Sequence, residues 1–126
     1  MKNPALLWLD VGVLLLFVVL GRRTHEEAET LSGVLRTAAP FMLALLAGWT
    51  VTSAWTRPAR LPVGLGVLVA TIGIGMPLRR IVFDEGTATP FVIVATLFLA
   101  AGFLGWRLGA AWLASRKTQQ AASAVE

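Results

Sequence analysis

Four stretches of this 126-residue chain are long, apolar and almost free of charge: residues 5–20, 38–55, 61–78 and 87–106. An α-helix needs about 20 residues, at about 1.5 Å each, to cross the roughly 30 Å of hydrocarbon in a bilayer. Each stretch reaches or approaches that length, and the only charged side chain inside them is Asp10. The pattern predicts an all-α integral membrane protein with four transmembrane helices in an up-down bundle, at about residues 5–21, 39–56, 61–78 and 88–113.

Composition supports this interpretation, because 56% hydrophobic and 14% charged residues leave too little polar surface for a soluble domain. We expect one transmembrane domain over residues 1–115 and a disordered polar tail over 116–126. A cleaved signal peptide is the alternative for the opening segment. Trp8 and Asp10 interrupt its apolar run and no A-x-A-like site precedes Gly21, so we expect the first helix to be retained.

The segment between the first two apolar stretches carries a helix signal of its own. Thr24 and Glu27 have capping-box spacing. Apolar residues then recur at positions i, i+3, i+4 and i+7, namely Leu31, Val34, Leu35 and Ala38. This predicts a short amphipathic helix on the outer surface, followed by a second transmembrane helix that begins at Pro40. Pro77 is expected to end the third helix.

With four crossings, the N-terminus, the loop around residues 57–60 and the C-terminal tail share one side. That side carries six basic residues: Lys2, Arg57, Arg60, Arg107, Arg116 and Lys117. The other side carries five: Arg22, Arg23, Arg36, Arg79 and Arg80. The positive-inside rule therefore favours cytoplasmic N- and C-termini in the inner membrane. The net charge of +4 suits anionic lipid headgroups, and no basic face with interleaved aromatics indicates nucleic-acid binding.

All five tryptophans fall near that same membrane face. Trp8, Trp55 and Trp112 fit an interfacial belt, where the indole ring is half buried and its N–H is wet. Trp49 and Trp106 lie deeper, and we expect them to pack between helices.

A weak internal echo relates two parts of the chain. Pro40-Phe41 leads to Gly48-Trp49, and Pro90-Phe91 leads to Gly105-Trp106. Because the spacings differ, a duplicated two-helix hairpin is one explanation and coincidence is the other.

Asp10 needs an explanation, because an ionised carboxylate among apolar neighbours in a membrane is costly unless it is paired or hydrated. Arg107 reaches a similar depth on the antiparallel fourth helix, so we hypothesise an ion pair of Asp10 and Arg107 within the membrane. Two alternatives stay open. Asp10 could reach the interface from a short helix while Arg107 extends to the headgroups, or Asp10 could be the protonatable group of a proton-coupled carrier.

A second charged cluster is predicted at the outer side: Arg22, Arg23, His25, Arg79 and Arg80. Two arginine pairs at the ends of neighbouring helices could hold a carboxylate or phosphate through bidentate hydrogen bonds, forming an outer anion or solute site. Alternatively, these are helix-end charges that the acidic residues of their own loops neutralise, namely Glu26, Glu27, Glu29, Asp84 and Glu85.

Small residues four positions apart let transmembrane helices approach closely. Two such lines occur, one with Ala44, Gly48 and Thr52 and one with Ala101, Gly105 and Gly109. They predict either tight packing inside one bundle or a face that docks a second copy or another membrane protein.

Catalysis has the weakest support in the sequence. The chain has no cysteine and a single histidine, so no thiolate chemistry is available and no metal-ligand spacing occurs. No Ser-His-Asp order or phosphate-binding glycine loop is present. We expect a protein that is not an enzyme and that has no metal and no cofactor.

The pieces that carry a family resemblance are Asp10, Gly21-Arg22 with His25, Pro40-Phe41, Gly48-Trp49, Gly75-Met76 with Leu78-Arg79, and Gly105-Trp106-Arg107. In these the chain resembles a family of small bacterial membrane proteins, the domain-of-unknown-function family 3054, up to about Trp112. The resemblance implies a four-helix architecture in a bacterial inner membrane and no defined activity. A looser likeness, in length and an acidic first helix, is to small multidrug-resistance carriers. Here the acid is an aspartate and the outer loop is longer, which disfavours drug efflux.

Two functional hypotheses result. In the first, the protein binds or transports a small solute along a path near Asp10 and Arg107. In the second, it is a non-transporting structural or accessory subunit that docks a partner through its small-residue helix faces.

Overall fold

The computed structural model describes residues 3–24, 31–82 and 89–125. A 3₁₀ turn, Pro4–Leu7, leads into α1 (Trp8–Thr24), which is followed by α2 (Leu31–Thr52), α3 (Leu61–Ile81) and α4 (Thr89–Val125). Within the described ranges there is no strand. Among the described residues, four helical segments are long and apolar enough to cross a membrane, the first of them including the 3₁₀ turn. The predicted all-α protein with four such helices is confirmed, and the chain has the structure of a multi-pass membrane protein.

The helices form a closed ring in which each contacts its two neighbours in chain order and α4 returns to α1. Paired contacts establish the antiparallel directions. Near one end of the bundle Arg22 on α1 contacts Thr37 on α2, whereas near the other end Trp49 on α2 contacts Asp10 on α1. We call the latter the tryptophan end, because Trp8, Trp55 and Trp112 are exposed there.

Aromatic packing fills the bundle between the two ends. The ring centroid of Phe17 lies 6.4 Å from that of Phe41, 6.0 Å from that of Phe91 and 5.5 Å from that of Phe98. Phe17 therefore joins α1 to both α2 and α4 in the apolar interior.

Glycine allows α2 and α3 to pack closely. A Cβ placed on Gly48 would lie only 3.0 Å from the Cβ of Ala70, and one on Gly75 would lie 2.8 Å from the Phe41 ring. In lipid, such backbone proximity replaces the hydrophobic effect as the main source of helix association.

The predicted surface helix before α2 is wrong for residues 31–38, because these residues form the first turns of α2 itself. Pro40 lies inside the helix and is buried. A proline removes one backbone hydrogen bond, but within a membrane bundle neighbouring groups can satisfy the freed carbonyl, so the helix need not end. The periodic apolar residues of this segment belong in part to the core, since Ala38 is buried and Val34 packs against the core. Glu27 lies outside the described residues.

Two other helix ends differ from expectation. Pro77 does not end α3, which continues to Ile81. The helix α4 extends through residues 116–125, where the sequence predicts a disordered tail. With 37 residues, α4 is about 55 Å long and projects well beyond the tryptophan end. Every residue from 111 to 124 is exposed, so this projection packs against no other described helix.

The helix α2 ends four residues earlier than predicted, in a Schellman motif. Ser53 adopts a left-handed conformation with φ of 50°. Its N–H donates to the Thr50 carbonyl, and the N–H of Ala54 donates to the Trp49 carbonyl at 2.9 Å. This motif starts the tight connection over residues 53–60 and holds Trp49 in the last turn of α2.

Candidate functional site

Asp10 and Arg107 lie in direct contact inside the bundle. Both side chains have 0% of their surface exposed. Arg107 Nη1 donates to Asp10 Oδ1 and Nη2 donates to Oδ2, each at 2.8 Å. This bidentate arrangement is the strongest pairing that a guanidinium and a carboxylate can form. We refer to it as the buried ion pair.

Two tryptophans complete the surroundings of the carboxylate. Trp106 Nε1 donates to Asp10 Oδ1 at 2.8 Å, and Trp49 Nε1 donates to Oδ2 at 3.0 Å. One indole comes from α4 and the other from α2, on the two sides of α1. Asp10 therefore joins three helices through a single side chain.

Arg107 makes further bonds that reach the backbone. Its Nε donates to the carbonyl of Pro58 at 2.8 Å, and its Nη1 also donates to the carbonyl of Phe103, one turn earlier on α4, at 3.0 Å. Its guanidinium carbon lies 4.3 Å from the ring centroid of Trp106. Since Pro58 is itself fully buried in the 53–60 connection, Arg107 fastens that connection to α4.

Gly64 provides the space that the arginine occupies. A Cβ at this position of α3 would lie 2.6 Å from Arg107 Cδ and 3.1 Å from Nε. A larger residue would push the guanidinium away from both Asp10 and Pro58. All four helices thus contribute to the site.

The Asp10 carboxylate has no capacity left to accept a further hydrogen bond. Asp10 accepts four hydrogen bonds, two at each oxygen, which is about the number that an ionised carboxylate can accept. Its charge is balanced by a guanidinium at contact distance, as a buried charge requires. Among the described residues there is also no group of three or more His, Cys, Asp or Glu that could hold a metal ion.

The side chains of three members of the predicted outer cluster lie within the described residues: Arg22, Arg79 and Arg80. Arg22 donates to Thr37 Oγ1 at 3.0 Å, whereas Arg79 lies over the ring of Phe91 with 4.5 Å to the centroid. Arg80 is exposed. The remaining members lie outside the description: His25, the side chain of Arg23 and the five acidic residues of the outer loops.

The two small-residue lines differ in their surroundings. Ala44 and Gly48 are buried against α3, and Thr52 is half-buried there. In contrast, Ala101, Gly105 and Gly109 are exposed on the outside of α4. A Cβ on either of these two glycines would meet nothing within 4 Å. Packing inside the bundle therefore accounts for the first line and not for the second.

Sequence reasoning did not identify four parts of the site: the indoles of Trp49 and Trp106, the Pro58 carbonyl and the space at Gly64. The internal echo was the available signal for the indoles. Its two Gly-Trp pairs supply the two N–H donors to Asp10, and its two phenylalanines, Phe41 and Phe91, lie 6.2 Å apart.

The fold and the site together define a class, the small multi-pass helical membrane protein in which a buried ion pair joins the helices. Within this class, residues 7–110 match the family of proteins of unknown function DUF3054. The chain belongs to that family, as its motifs predicted. No curated protein and no solved structure matches the chain.

Proposed function

We propose that this protein is a non-transporting structural or accessory subunit of the bacterial inner membrane, and that the buried ion pair holds its bundle together and is not a solute path. The observation that carries the proposal is the saturation of Asp10 by four donors. A carrier needs a group that exchanges one partner for another during its cycle.

A solute that binds Asp10 has to displace Arg107, and separating a buried pair costs about 3 to 5 kcal/mol. That cost lowers the affinity for the competitor roughly 10²- to 10⁴-fold. Since the guanidinium also donates to the Pro58 carbonyl, displacing it disturbs the 53–60 connection as well.

Proton flux tests this part of the proposal. The purified protein is reconstituted into liposomes that contain a pH-sensitive dye, and a potassium diffusion potential is applied. We expect the flux to equal that of protein-free liposomes, both for the unmodified protein and for Trp49→Phe, which retains the ion pair. Flux that exceeds this background and disappears in Asp10→Asn, but persists in Arg80→Gln, would show a carrier and overturn the proposal.

Partner docking is the second part, and the exposed line Ala101, Gly105 and Gly109 supports it. Because the chain has no cysteine, single-cysteine variants can carry a photoactivatable benzophenone. Gly105→Cys is compared in native membranes with Gly73→Cys, an exposed position on α3 that also has nothing within 4 Å. We expect an adduct of defined mass at position 105 alone. Equal labelling of both positions, or none, contradicts docking through α4.

We further propose that both chain termini are cytoplasmic, as the distribution of basic residues favours. Thr56 in the 53–60 connection and Thr118 on the projecting part of α4 are exposed and lie on the same side. Cysteines at these positions should react with a membrane-impermeant maleimide only after the cells are opened. Reaction in intact cells would show that the termini lie on the outer side and would contradict this orientation.

A further inference from the structure

The connection between α2 and α3, residues 53–60, presents two unengaged arginines at the tryptophan end. Arg57 and Arg60 are exposed and flank the buried Pro58. Within the described parts of the chain, neither side chain forms a hydrogen bond or an ion pair. From this arrangement we infer that residues 53–60 form a binding site for the phosphate of an anionic phospholipid headgroup.

The first support is the rigidity of the connection. Besides the Schellman bonds, the N–H of Thr56 donates to the Ser53 carbonyl at 3.0 Å and the N–H of Arg60 donates to the Arg57 carbonyl at 3.3 Å. Arg107 anchors the middle through the Pro58 carbonyl. The backbone that carries both arginines is therefore ordered before a ligand arrives, which reduces the entropy lost on binding.

The second support is charge. Asp10 is the only acidic residue in the described ranges, and its carboxylate already accepts hydrogen bonds from Arg107 and the two indoles. No described carboxylate is thus available to Arg57 or Arg60. A phosphate diester can supply the missing negative charge, and guanidinium groups bind phosphate oxygens in bidentate geometry.

The third support is depth in the membrane. Trp55 lies two residues before Arg57 and is 48% exposed. An indole at such a position belongs to the interface between hydrocarbon and headgroups. The two arginines following it are then at the level of lipid phosphates, which favours a lipid over an anion free in solution.

Native mass spectrometry tests the inference on the full-length protein. The protein is released from nanodiscs with equal amounts of phosphatidylcholine and phosphatidylglycerol, and the retained lipids are counted. A charge-assisted hydrogen bond changes binding about tenfold or more, so Arg57→Gln with Arg60→Gln should reduce the preference for phosphatidylglycerol roughly 100-fold. Both positions are exposed, so the thermal unfolding midpoint in detergent should not change.

The matched control removes two charges from the same end of the bundle but from a different element. Arg116→Gln with Lys117→Gln alters the projecting part of α4. There the guanidinium carbon of Arg116 lies 5.1 Å from the ring centroid of Trp112. The control should keep most of the preference for phosphatidylglycerol. Equal losses in the two double variants would show a diffuse electrostatic effect and overturn the site. Displacement of the lipid by excess inorganic phosphate would also overturn it, because the ligand would then be a soluble anion.

Discussion

Replacing one member of the buried ion pair should destabilise the bundle far more than the loss of an ordinary polar contact. Asp10→Asn keeps the size of the side chain but removes its charge. It also places an NH₂ donor opposite groups that are themselves donors. The Arg107 guanidinium then stays buried without a counter-charge, and breaking a buried pair in this way costs about 3 to 5 kcal/mol. Interhelical polar contacts in membranes average only about 0.6 kcal/mol. The loss expected for a broken ion pair is therefore clearly larger than the loss of an ordinary polar contact.

A double-mutant cycle measures the coupling within the pair. Arg107→Gln leaves the carboxylate charged and unbalanced, and should cost a similar 3 to 5 kcal/mol. The double variant Asp10→Asn with Arg107→Gln contains no buried charge. It should therefore cost about as much as one single change, which gives a coupling energy of about 3 kcal/mol or more.

The assay is reversible unfolding in mixed micelles with increasing sodium dodecyl sulfate. Tryptophan fluorescence reports the transition, because two of the five indoles contact Asp10 directly. Arg80→Gln, at an exposed position of the opposite end, should change the unfolding free energy by less than about 0.5 kcal/mol. If the two single effects add to within about 0.5 kcal/mol, the residues are energetically independent and the reasoning fails.

Other contacts around the site give further expectations in the same titration. Trp49→Phe removes one indole donor from the carboxylate and should cost about 1.5 kcal/mol, whereas no loss would mean that this bond is dispensable. Gly64→Ala places a Cβ 2.6 Å from Arg107 Cδ and should cost about 1 to 3 kcal/mol, while Gly105→Ala, with nothing within 4 Å, should be neutral or stabilising by up to about 1 kcal/mol. Equal effects at these two glycines would contradict the crowding argument. Ser53→Gly relieves the left-handed backbone conformation and should stabilise by about 1 kcal/mol, so a loss of stability would show that the serine hydroxyl is needed.

Local sequence was a less reliable guide to helix ends than to helix number. Pro40 and Pro77 are strong local signals for a helix boundary, yet both lie inside helices. In a soluble protein, water and the missing N–H both favour a break at proline. In a packed membrane bundle the alternative, an irregular backbone facing lipid, is more costly than one lost hydrogen bond.

Residue order along the chain was enough to predict four helices long and apolar enough to span a bilayer, with Asp10 and Arg107 at similar depths. These properties depend on residue order and on the lengths of the apolar runs, because the thickness of the hydrocarbon core sets how many residues a crossing helix needs. The groups that surround the carboxylate are visible in the folded structure alone. Trp49 and Trp106 are 39 and 96 residues away from Asp10, and they reach it because close packing of α1 between α2 and α4 directs both indoles to the same two oxygens.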